Sequence, residues 1–190
     1  PNSSIEKLAL LRPAFDKKYG TLTAANSSYL TDGAAASLIA TEEKALALGL
    51  TPKSRIVDYV FTGQNLDDEL LLGPAYAISE VLKKTRLTID QIDVIEIHEA
   101  FAGQVLSNIK CLESDDFSKD KLGRDKAVGK IDFSKLNLWG GSLSIGHPFG
   151  ATGSRLLTTA SNRLHHEGGK YALIAACAAG AHGHAMIIEK

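Results

Sequence analysis

The sequence predicts an α/β fold, a sheet with helices packed on its faces. Three observations carry this. Short runs of β-branched and apolar residues alternate with stretches whose apolar residues recur at helical spacing. Turn and cap signals fall between the runs. The last two apolar runs are separated only by a small-residue bend, which suits an antiparallel pair.

Taken in order, Ser4 to Leu11 reads as a short amphipathic helix that stops near Pro13, because a residue before proline is pushed out of the helical region. Gly20 to Ala25 reads as a strand after a turn, Asp32-Gly33 as a turn, and Ala34 to Ala40 as a small apolar strand or helix. Thr41 lacks the acidic partner of a capping box at Lys44. Glu42 and Glu43 still favour a helix start, and Gly49 closes that helix. Thr51-Pro52-Lys53 is the best domain boundary.

Arg55 to Thr62 reads as a strand and Gly73 to Thr85 as a helix with proline in its first turn. Thr88-Ile89-Asp90-Gln91 fits a capping box. Asp93 to His98 is a strand, continuing at Glu99 into a helix that ends near Leu112. Ser114 to Leu138 is long and charged, and reads as a surface excursion with its own short helix. Gly150 to His166 is a helix closed by Gly168-Gly169, and Tyr171 to Ala176 and Ala185 to Glu189 are strands.

The chain has 190 residues, 44% of them apolar and 23% charged, which excludes a disordered chain and a fibre. Basic and acidic side chains number 21 and 22, so no bulk charge draws it to nucleic acid or an anionic membrane. The densest basic runs are Lys17-Lys18 and Lys83-Lys84, and neither makes a local patch. Two cysteines, Cys111 and Cys177, are too few for a disulfide scaffold and read as reduced thiols. Pro1-Asn2-Ser3 has no basic or apolar leader pattern and carries no information on localisation.

Three segments concentrate chemistry, each where a strand meets a turn or helix. In His98-Glu99-Ala100-Phe101, a His and a Glu end an apolar strand. Either they aim into a pocket, or Glu99 favours a helix dipole and His98 is structural. In Trp139 to Gly153, glycines permit close backbone approach and Pro148 pre-sets the direction of His147. Their spacing is that of neither a dinucleotide fingerprint nor a Walker loop, which leaves a tight turn or a different site. In Cys177-Ala178-Ala179-Gly180-Ala181-His182-Gly183-His184, a Cys ends a strand and small residues leave backbone N–H groups open, as an oxyanion hole requires. The alternative is an inert buried Cys. His182 and His184, two apart, could bind a metal with Cys177 or His147, but no two-plus-two ligand spacing is present. Cys and His together are the parts of acyl-transfer chemistry.

These segments, in this order, resemble the C-terminal half of a thiolase. The N-terminal stretches Leu11-Arg12-Pro13-Ala14-Phe15, Gly20 to Asn26 and Thr31 to Ala36 agree, so the resemblance covers essentially the whole chain. Within the family it points to the fatty-acid β-oxidation branch, through His98 where most thiolases have Asn, Trp139-Gly140-Gly141-Ser142, Cys177-Ala178-Ala179 and the long excursion.

The resemblance implies a five-stranded mixed sheet between helices over 53–190, with 1–52 the tail of a preceding thiolase domain. It implies cleavage of a 3-ketoacyl-CoA by CoA, with CoA as substrate and no cofactor. By motif match, His147 activates the nucleophile and Cys177 is the acid/base. His98 donates to the thioester oxyanion or holds a water, and the backbone N–H near Ala179 serves the second oxyanion hole. Ser28 contacts the pantetheine and Phe101 lines its tunnel.

The family's nucleophilic Cys has no counterpart here, since Cys111 sits mid-helix without a motif. The chain alone is therefore expected to be inactive and to expose apolar surface. A homodimer through the N-terminal half, a trifunctional-enzyme α subunit as partner and a mitochondrial location also come from the resemblance alone. Two other readings stay open: a self-contained Cys–His thioester hydrolase using Cys177, and a silent thiolase-fold binding module.

Overall fold

The computed structural model describes residues 3–190, so Pro1 and Asn2 of the opening tripeptide lie outside the described residues. The elements in chain order are α1 (Ile5–Ala9), α2 (Glu42–Ala47), β1 (Arg55–Gly63), α3 (Leu66–Glu69) and α4 (Gly73–Thr85). A 3-10 turn (Ile89–Gln91) leads to β2 (Val94–Ile97), α5 (Ala102–Glu113), α6 (Asp115–Lys121) and α7 (Ser142–Ile145). Then come α8 (Thr152–Glu167), β3 (Tyr171–Ala178) and β4 (His182–Glu189).

The sheet is mixed, in the order β1-β4-β3-β2. β3 pairs antiparallel with β4 and parallel with β2, and β4 pairs antiparallel with β1. It has four strands, not the five that the family likeness implies. On the outer edge of β2, Ile95 donates to Lys135 O and accepts from Asn137 N, a single parallel bridge centred on Leu136. Asn137 then adopts a left-handed φ of 48°, so the pairing cannot extend into a strand.

Strand side chains alternate between faces. Ile95, Ile97, Leu173, Ala175, Ala185 and Ile187 meet α4 and α5 in the larger core, together with Ile78, Leu82, Ile109 and Leu112. Val94, Ala172, Ile174 and Ile188 meet Leu156, Ala160 and Leu164 of α8 in a smaller one. The start of α4 packs against β4 so closely that a Cβ on Gly183 would collide with Gly73 O. Only glycine fits this crossing, which lies at the level of Cys177, the register partner of Gly183.

Four expectations change. Gly20 to Ala25 is no strand: Asn26 Oδ1 accepts from Thr23 N at 2.7 Å, Ser27 Oγ donates to Thr23 O at 2.7 Å, and these local bonds wind the chain into a turn. Its backbone pairing is an isolated bridge, Pro13 to Thr23. Ala34 to Ala40 is irregular and exposed. Helix α5 begins at Ala102 rather than at Glu99, because Phe101 pairs with Ser27 in extended form. The excursion carries α6 as expected, but it does not stay on the surface: Ile131 is fully buried and Lys135 to Asn137 line the sheet edge.

Large apolar side chains are exposed along the first 54 residues and on β1, among them Leu10, Phe15, Leu38 and Phe61.

Candidate active site

The site gathers at the carboxyl ends of β2 and β3, the crevice where open α/β sheets place ligands. His98 follows β2 directly and its N–H donates to Ala175 O at 2.8 Å, so the sheet itself sets its position. The ring is buried, and Nδ1 lies 2.9 Å from Ser142 Oγ at the start of α7. His147 arrives from the loop after α7. Its N–H donates to Tyr29 O at 2.9 Å, which docks the loop onto the N-terminal stretch. Its Nδ1 is 2.6 Å from Thr152 Oγ1, whose hydroxyl also reaches Pro148 O at 3.3 Å. Gly146 before it has a φ of 89°, and a Cβ there would collide with Thr31.

The two imidazoles meet: their ring centroids are 4.2 Å apart with planes tilted by 38°. Burial, then the neighbouring His147 and Arg155, push His98 down to about 4. Burial, then Arg155, lowers His147 as well. Both rings are therefore neutral at neutral pH, and each offers one N–H donor and one bare nitrogen.

Cys177 is the last residue but one of β3 and is 8% exposed. Burial pushes its thiol up to about 11, against a backbone hydrogen bond that lowers it. It is a neutral thiol. Among the described residues, no hydrogen bond joins it to either imidazole. Ala179 is exposed in the three-residue bend before β4, where Gly180 and Ala181 both take positive φ, 84° and 56°.

The stretch Asn26 to Ser28 lies against the start of α5. Ser28 N donates to Ala100 O and Ala102 N to Asn26 O, both at 2.9 Å. Ser28 and Phe101 are thereby brought to one seam, and Phe15 packs edge-on against the Phe101 ring at 6.0 Å.

Glu99 departs from its expected place in a first helical turn. It accepts from Leu143 N at 3.0 Å and from Asn137 Nδ2 at 2.7 Å, clamping the glycine-rich segment to the end of β2. A Cβ on Gly141 would run into its carboxylate. Asn137 also bonds Ile97 N and Ile97 O at 2.8 and 2.9 Å.

Sequence reasoning missed Asn137, Ser142, Thr152, Arg155 and the pair Glu96–Arg163. Asn137 was hidden in a stretch read as surface. Ser142 and Thr152 sit in the quoted glycine-rich run but have no signal of their own. Glu96 and Arg163 meet at 2.7 Å with neither side chain exposed, and Arg163 also holds Glu167 and Lys135 O. A charge in an apolar strand, Glu96 in Val-Ile-Glu-Ile, was the available clue. His184 bonds Val60 O and stacks on Phe61, and among the described residues no group of three or more His, Cys, Asp and Glu is gathered as metal ligands would be.

A family model described as "Thiolase, C-terminal domain" matches residues 50–190, and one described as "Thiolase, N-terminal domain" matches residues 1–43. The chain belongs to the thiolase family. This thiolase chain is 57% identical over 187 residues to mouse "Trifunctional enzyme subunit beta, mitochondrial", covering 98% of the chain and 39% of that protein. It is 58% identical over 187 residues to a Caenorhabditis elegans "Probable 3-ketoacyl-CoA thiolase", covering 98% of the chain and 42% of that protein. Among solved structures, human mitochondrial 3-ketoacyl-CoA thiolase in complex with CoA superposes with a TM-score of 0.83 at 36% identity, over 100% of this chain and 43% of that one. The thiolase chain thus spans about two-fifths of the length of the relatives it matches.

Proposed function

We propose that this chain supplies the histidine and the acid/base cysteine of a 3-ketoacyl-CoA thiolase of fatty-acid β-oxidation. The observation that carries the reading is the pairing of His147 with His98 at the end of β2, on the strand end next to Cys177. The attacking thiolate comes from the part of the relatives' length that this chain does not span. His147, neutral and half-buried, takes the proton of that thiol. His98 donates to the thioester oxyanion, and the open N–H near Ala179 serves the second oxyanion.

Cys177 holds its proton at neutral pH, the form required to protonate an acetyl carbanion as it leaves. Ser28 and Phe101 flank the pantetheine path. Residues 1–52 form the tail of a first thiolase domain and 53–190 the second, a division supported by the two family models stopping at 43 and starting at 50. CoA and 3-ketoacyl-CoA are the substrates. The names of the relatives support a mitochondrial location and a trifunctional-enzyme α subunit as partner, and the family likeness supports a homodimer through the N-terminal domain.

The competing reading makes Cys177 the nucleophile of a thioester hydrolase. The raised thiol weighs against it, since the thiolate is the attacking species. One incubation separates the two. The pure chain is mixed with a 3-ketoacyl-CoA and CoA, substrate loss is followed, and the intact protein mass is taken. No turnover and no adduct is expected. Turnover, or an acyl group on Cys177, would overturn the role assignment.

A further inference from the structure

His98 has a neighbour on each side of its chemistry. Its Nδ1 faces Ser142 Oγ at 2.9 Å, and Ser142 Oγ in turn lies 3.3 Å from Arg155 Nη2. A neutral imidazole must place its one hydrogen on Nδ1 or on Nε2, and the partner of the first nitrogen decides what the second can do.

The hydrogen inventory of this chain of three groups has one consistent solution. Guanidinium nitrogens only donate, so the Arg155–Ser142 contact uses a lone pair of the serine. The serine has a single hydroxyl hydrogen, and Ser142 is fully buried. If His98 Nδ1 carried the hydrogen, Ser142 would accept two bonds and its own O–H would have no acceptor among the described residues. Leaving a buried donor unmade costs about 1–3 kcal/mol. If the serine instead donates to a bare Nδ1, the hydroxyl and the ring nitrogen are both paired and Arg155 Nη2 keeps its acceptor, while Arg155 Nε and Nη1 have no partner among the described residues with either tautomer and so do not bear on the choice. Burial lowers Arg155 and the Glu96 and Glu99 carboxylates act against that; a guanidinium still keeps its proton at neutral pH.

We propose that Arg155 and Ser142 are positioning residues that fix His98 as the Nε2–H tautomer, so that its free ring nitrogen is a hydrogen-bond donor toward the site. What that donor is used for rests on the thiolase reading. The tautomer itself does not. Second-sphere control of this kind fixes ring orientation as well as proton position.

The experiment is a long-range proton–nitrogen correlation spectrum of the chain labelled with nitrogen-15 in its six histidines, recorded at neutral pH. The His98 signals are assigned by their loss in His98→Gln. Protonated and bare ring nitrogens resonate far apart, so each tautomer is read directly, with no need for turnover. The expected result is a single His98 species with a protonated Nε2. Ser142→Ala is expected to give a mixture or the Nδ1–H form, Ser142→Thr to restore the original species, and Arg155→Gln to weaken the preference. A protonated Nδ1 in the unmodified chain would overturn the proposal, and so would a Ser142→Ala spectrum unchanged at His98. If Ser142→Ala does not fold, the unmodified chain and Arg155→Gln still decide it. Failure of the thiolase reading would show in substrate assays and leave this spectrum unaltered.

Discussion

The two faces of the sheet are built on different terms. The sheet face under α4 and α5 presents hydrocarbon, Ile95, Leu173 and Ile187, to Ile78, Val81, Ile109 and Leu112, and a buried polar group between the two helices, Asn108, is paired with Ala75 N and Leu71 O. The face under α8 has a smaller apolar cluster and carries Glu96 on β2 with His98 directly after it, and Arg163 and Arg155 arrive from the helix. One face stabilises by removing apolar area from water. The other places polar groups that must all find partners, which costs stability and gives defined positions. His98 and His147 stand on or next to the second kind, whereas Cys177, in step with Leu173 and Ala175, belongs to the first.

The comparison breaks most visibly at Arg163. Arg163→Ala leaves the buried Glu96 carboxyl without its ion-pair partner, and we expect a loss of about 3–5 kcal/mol. The check is a shift of the urea midpoint at unchanged slope. A loss below about 1 kcal/mol would mean that the pair behaves like a surface bridge.

Acid sharpens the comparison next. His98 stays neutral in the fold down to about pH 4, against an ordinary value of 6.5. Below 6.5 the unfolded chain takes up a proton that the folded chain refuses. Stability is therefore full above pH 6.5 and falls as the pH drops toward 4. The loss from this group is roughly 3 kcal/mol, each pKa unit being worth about 1.4 kcal/mol. His147 and His184 shift in the same direction. The check is denaturation at pH 7, 6, 5 and 4: the slope should flatten in His98→Asn. An unchanged slope would show that His98 titrates normally in the fold.

The smallest effect belongs to the hydrocarbon face. Ile187→Val removes one methylene from a fully buried position, with an expected cost of about 0.5–1.5 kcal/mol and no new dependence on pH. The same midpoint measurement checks it, and a pH-dependent loss would tie this face to the polar one.

The site was legible in part. His98, His147 and Cys177 stood out because polar residues closed apolar runs or sat between glycines. Their strands place His98 and Cys177 on adjacent strand ends, with the His147 loop packed against His98. Ser28 and Phe101 were legible only through the family likeness, since a serine in a loop and a phenylalanine before a helix have no pattern of their own. Their meeting depends on backbone bonds between residues 26–28 and 100–102, which no local propensity encodes. Glu99 was misread because acids before helices commonly serve the dipole. Its actual partners, Asn137 and Leu143, lie roughly 40 residues away.

The sequence by itself determined the α/β class, the strands from Arg55 onward, the helices α4, α5 and α8, and the family, because periodicity, caps and motif order are local properties of the chain. Tertiary structure decided the rest. It ended the sheet at four strands, because left-handed Asn137 breaks the pairing beyond β2. It pulled the charged excursion onto the sheet edge through Ile131 and Leu136. It also enclosed Ser142 and Arg155 beside His98, where a fully buried serine hydroxyl is left with His98 Nδ1 and Arg155 as its partners.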